Sequence, residues 1–165
     1  MHINIVAVLI AALVPTVMGF IWYNPKVFGT AWMNATGMTQ EKAKQSNMAM
    51  VFVFSIILSF LMAFGMQFMV VHQFHVTSLF FKLPIEDANT HEGALYQQVM
   101  ELLGGSWRTF KHGALHGFIG SVMIVLPVIG TGSMFEQKGW KYIWINAGYW
   151  MVSMTIMGGI LSAMV

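Results

Sequence analysis

Four stretches of this sequence carry no Asp, Glu, Lys or Arg, and each is long enough to cross a bilayer as a helix. They run over about 3–23, 48–76, 112–129 and 142–164. A hydrocarbon layer about 30 Å thick takes about 20 residues at helical rise. It also offers no partner to a free backbone N–H or C=O, so every spanning segment must satisfy its own. The apolar runs are continuous and do not alternate with polar residues, which points to helices and away from barrel strands. The fold class expected is therefore an all-α integral membrane protein: a four-transmembrane-helix bundle, one domain over 1–165, with a short amphipathic helix in the middle loop.

Composition agrees. Charged residues make up 8% of the chain and apolar ones 57%, where soluble domains carry roughly 25% charge. A water-soluble globule could not cover its surface with so few charges. Eight Lys and Arg stand against six Asp and Glu without a long basic run, so nucleic acid is not an expected partner. There are no cysteines, which excludes disulfides, thiolate catalysis, zinc–thiolate sites and iron–sulfur clusters. The N-terminus has neither a positive leader nor a convincing cleavage site, so the first span is expected to be retained.

With four spans, the first and third loops share one side. They hold Lys26, Lys42, Lys44, Lys138 and Lys141, against Lys82, Arg108 and Lys111 in the middle loop. The bias puts the first and third loops in the cytoplasm and both termini in the periplasm. Trp22, Tyr23 and Trp32, with Trp140, Tyr142 and Trp144, suit the interface on that side. In the middle loop Leu79, Phe80 and Phe81 are expected to dip toward acyl chains. Leu95, Val99, Leu102 and Leu103 then follow helical spacing opposite Gln97, Gln98 and Glu101, up to Gly104 and Gly105.

Several of these residues together resemble a known family. Ile21-Trp22-Tyr23-Asn24-Pro25, followed by Phe28, Gly29 and Trp32, is similar to the first-loop signature of the bacterial membrane family called domain of unknown function 1761. So are Phe135-Glu136 with Lys138, Trp140 and Lys141, leading into the run from Ile145 to Trp150. The resemblance covers most of the chain and is clearest in the first loop and the fourth span. It implies a four-span bacterial membrane protein and carries no activity, cofactor or catalytic residue with it; the inner membrane is the location expected for such a helical bundle.

All six histidines fall on one side of this topology. His2 begins the chain, His72 and His75 end the second span, His91 lies in the middle loop, and His112 and His116 open the third span. Spacings of three and four put each pair on one helix face. If those helix ends are neighbours, four imidazoles could converge on zinc, copper or haem, making His72, His75, His112 and His116 the candidate ligand site. Against this, spacing fixes no carboxylate or thiolate beside them, and histidine also belongs at a membrane boundary for ordinary amphipathic reasons. The sequence alone therefore assigns no metal and no cofactor.

Met62, Met66 and Met69 share a face leading toward His72, and Met151, Met154 and Met157 form a similar stripe. Thioethers can hold Cu(I), but packing is the better account of so flexible an apolar side chain. Gly113, Gly117 and Gly120, with Gly158 and Gly159 near Ser162 and Ala163, set small residues at spacings that let helix backbones approach closely. Pro15 and Pro127 are expected to kink their helices. Gln67 and Asn146 suit amide hydrogen bonds between helices. No HExxH, GxSxG, P-loop or paired carboxylate occurs within a span, so no enzymatic activity is expected. The leading expectation is a non-enzymatic accessory or structural subunit, acting as a homo-oligomer or within a larger membrane complex and bathed in membrane lipids. The rival is a ligand-binding or transport protein that uses the histidine-bearing end.

Overall fold

A computed structural model describes residues 3–164, and the described residues are helical and contain no strand. The helices are α1 (Ile5–Trp22), α2 (Thr30–Thr36), α3 (Gln40–Gln45), α4 (Met48–Val70), α5 (Gln73–Leu79) and α6 (His91–Leu103), then α7 (Phe110–Phe135) and α8 (Trp140–Ala163). His2 and Val165 lie outside the described residues. Side chains mark the starts: Asn4 accepts from the Ala7 N–H, Asn47 from Met50 and Thr109 from His112, filling donors a helix leaves open.

α1, α4 and α7 are long and apolar enough to cross a membrane. Their apolar side chains face outward: Val6, Leu9, Leu13, Val17 and Phe20 of α1 are exposed, as are Val53, Phe54, Leu58 and Leu61 of α4. α8, at 24 residues, is long enough as well, but its character differs. It touches α7 most closely and also packs on α1 and α4, and it buries Ala147, Ser153, Gly158, Gly159 and Ser162 among its contacts. Small and hydroxyl residues face other helices there, which dilutes its apolar content. The core joins Ala7, Val8 and Ala11 of α1, Ala63, Met66 and Val70 of α4, and Met154, Met157 and Leu161 of α8. Met62 and Met69 pack against it, so the methionine stripes meet inside the bundle.

Two expected boundaries are corrected. The second segment, read as continuous to 76, stops at Val70. Val71 turns extended (φ −108°, ψ 96°) before α5 begins. Val71 is buried, and Gln73 donates to the carbonyls of Leu103 (2.7 Å) and Ser106 (3.0 Å), which draws the chain away from the α4 axis. The third segment, read as 112–129, runs from Phe110 to Phe135. A π-helical turn at Ser121–Val125 precedes Pro127 and makes room for the ring without ending the helix. In α6, Val99 and Leu103 of the expected stripe are half-buried beside Tyr96 and Met100, and Leu95 and Leu102 are exposed. Phe80 meets Tyr96 edge-on with ring centroids 5.4 Å apart, leaving Leu79 and Phe81 exposed beside it.

The first loop is tied to α8. Trp22 Nε1 donates to the Ile145 carbonyl and the Tyr23 hydroxyl donates to Asn146 Oδ1, each at 3.0 Å. The Tyr149 hydroxyl donates to the Pro15 carbonyl at 2.7 Å. Gly29 closes the π-helical turn Pro25–Gly29 directly on the Tyr23 backbone carbonyl, where a Cβ would collide.

Candidate functional site

The site forms where α4 ends and α7 begins. Because Val71 leaves the helix, His72 sits at a corner with its carbonyl accepting from the His75 N–H at 2.9 Å. Thr109 caps α7 and starts it three residues ahead of His112. One turn later on the same face comes His116. The axis of α7 is fixed by glycine. A Cβ at Gly113 would strike the Gly158 carbonyl, and one at Gly117 the Met154 carbonyl. Phe110 lies over Gly159, and the Met69 methyl lies over Gly120. The glycines named from their spacing are thus all at helix contacts inside the bundle.

These constraints bring three imidazoles together. The His72 and His112 Nε2 atoms are 2.8 Å apart, and one ligand nitrogen from each of His72, His112 and His116 lies within 4.8 Å of the others. Ring centroids are 5.0 Å apart for His72–His112, 4.9 Å for His72–His116 and 4.5 Å for His112–His116. All three rings are half-buried. A tetrahedral zinc with bonds of 2.0–2.1 Å separates its ligand nitrogens by about 3.3 Å, inside the range these side chains already span. Burial, and then the neighbouring imidazoles of His112 and His75, hold His72 below the usual histidine range. A neutral imidazole is the form a metal takes.

His75, included among the candidates, stands aside. Its ring is exposed and 6.4 Å from His72, outside the converging set. His91 opens α6 at an exposed position. The spacing of the histidines gave no hint of two further contributors. Trp107 sets its ring edge-on to His72 at 5.9 Å and lies 6.3 Å from His112, walling the cluster. It adopts a left-handed backbone (φ 59°), and its carbonyl accepts from Ser162 Oγ at 3.1 Å. Gln73, fully buried, ties the α6–α7 connection to the corner at His72. Both act through contacts between segments some 30 or more residues apart, which no local pattern encodes.

Comparison with known proteins gives one match. The family model described as "Protein of unknown function (DUF1761)" covers residues 6–162. No curated protein and no solved structure matches the chain.

Proposed function

The chain thus belongs to the DUF1761 family, and we propose that it is a four-span protein of the bacterial inner membrane that holds a transition-metal ion on His72, His112 and His116. The observation that carries this reading is the approach of three imidazole nitrogens, from two separate helices, to within 4.8 Å of one another. An all-imidazole set suits Zn2+ or Cu2+. Three protein ligands leave a fourth position open for water or a small ligand.

The membrane part of the reading is supported by α1, α4 and α7. α8 is added as the fourth span because it is 24 residues long, bears no charge beyond Lys141, and packs along the other three. The loop lysines then place the first and third loops in the cytoplasm, and the histidine cluster faces the periplasm with both ends of the chain. Gly113, Gly117, Gly158 and Gly159 are occupied by contacts within this one chain, so these small-residue faces add nothing to an accessory or oligomeric role.

The test is metal content. The full chain, purified in mild detergent and loaded with Zn2+ or Cu2+, is expected to retain about one ion, counted by elemental analysis. H72A and H116A should lose it, while H75A and H91A keep it. If the H72A/H112A/H116A triple variant retains as much metal as the wild type, the proposal fails.

A further inference from the structure

The antiparallel pair α1 and α4 is closed at one end and open at the other. α1 buries Ala7, Val8, Ala11, Ala12 and Pro15, all in its first two-thirds. α4 buries Ser59, Ala63, Met66, Gln67 and Val70 and nothing before Ser59. The buried halves face each other, since Gln67 Nε2 donates to the Asn4 carbonyl at 3.4 Å. Alanines let the backbones close there. Toward Tyr23 and Met48 the helices part, and a cavity of about 630 Å³ lies between them against α8. Phe20 and Phe52 reach across it with centroids 5.6 Å apart. Pro15, Thr16, Tyr23, Ser55, Tyr149 and Trp150 are among its walls. The Thr16 hydroxyl is buried and has no hydrogen-bond partner among the described residues.

The volume falls in the range of small-molecule sites, about 300–1,000 Å³. The mouth adds a second feature. A shallower recess of about 360 Å³ shares Met48 with the cavity and is lined by Gln40 and Lys44. Lys26, Lys42 and Lys44 outnumber Glu41 in this first loop. An apolar slot beside a recess that carries Lys44 fits a molecule with a hydrocarbon chain and an anionic head.

We infer that the α1–α4 cleft seats an acidic phospholipid, with one acyl chain in the cleft and its phosphate at Lys44. This site lies at the other end of α4 from His72 and does not depend on metal. It rests on the membrane reading alone, so metal analysis of the same sample keeps the two proposals separate.

The experiment delipidates the full-length protein in detergent and adds dioleoylphosphatidylglycerol or dioleoylphosphatidylcholine. Retained lipid is counted by native mass spectrometry. The wild type is expected to keep one phosphatidylglycerol in preference to phosphatidylcholine. S55W, which fills the cleft from an exposed position on α4, should lose both lipids. K44Q should keep the chain site but reduce the preference for phosphatidylglycerol roughly fivefold, the factor expected for one lysine near an anionic headgroup. S55L serves the same purpose as S55W if the larger side chain prevents folding. Equal retention of the two lipids by the wild type, or undiminished retention in the cleft-filling variant that folds, would overturn the inference. A detergent-exchanged protein that keeps neither lipid would do so as well.

Discussion

His72 occupies the residue on which the candidate site turns, because it stands where α4 has ended and the chain has not yet begun α5. Its imidazole is held below the ordinary histidine value of 6.5 by burial first, then by His112 and His75. The sign of the consequence follows from linkage. In the unfolded chain His72 takes up its proton near pH 6.5, before the folded protein does. The contribution of its neutral form to stability is therefore present above about pH 6.5 and is lost as pH falls through the lower folded value. Metal-free protein is expected to show a falling unfolding temperature over that window, and H72Q should flatten the fall. A profile equally steep in both proteins would contradict the assignment. Tyr149 makes a second residue-scale case. Its hydroxyl donates to the Pro15 carbonyl at 2.7 Å inside the bundle. Y149F is expected to cost about 0.5–1.5 kcal/mol in reversible unfolding, with metal retention unchanged. At this scale the sequence was partly legible. The spacing of four set His112 and His116 on one face of α7, but the turn at Val71, which leaves His72 at a corner and moves His75 away from the cluster, depends on a buried side chain and on Gln73 reaching Leu103 and Ser106.

Among the elements, α7 and α8 form the tightest pair, and glycine is the reason. A Cβ at Gly117 would run into the backbone at Met154 and Thr155, which cannot give way as a side chain could. G117L is expected to destabilise by about 1–3 kcal/mol or more, and to loosen metal retention by displacing His116. Gly130, on the same helix, has open space where a Cβ would stand. G130L meets no atom at its Cβ and should not destabilise, with a gain of up to about 1 kcal/mol from replacing a helix-interior glycine. Equal losses in the two variants, measured by unfolding in the same detergent, would show that the contact at Gly117 does not hold the helices together. The periodic small residues are legible in the amino-acid order itself. The length of α7 is not. Pro127 predicts a kink, and the π-helical turn at Ser121–Val125 accommodates its ring, so that the helix runs on to Phe135 through a backbone rearrangement no composition announces.

For the whole molecule, the freedom of the chain from cysteine makes a direct topology experiment available. With single cysteines in place of Lys44 and Glu92, a membrane-impermeant maleimide should label E92C in intact cells, from the periplasm, and K44C only after the inner membrane is opened. Labelling of both from one side would remove the four-span reading. The sequence by itself determined the helical class and the approximate seats of the long helices, because a bilayer admits few backbone solutions and uncharged segments of this length leave little choice. It also determined which residues of each helix could lie together, since that follows from 3.6 residues per turn. Tertiary structure alone decided which helix ends are neighbours: that His72 meets His112 and His116, that α8 packs on α1, α4 and α7 alike, and that α1 and α4 separate into a cleft. Those outcomes depend on how small side chains, a proline and a few hydrogen bonds between distant segments let whole helices approach, and distance between segments is not written in local periodicity.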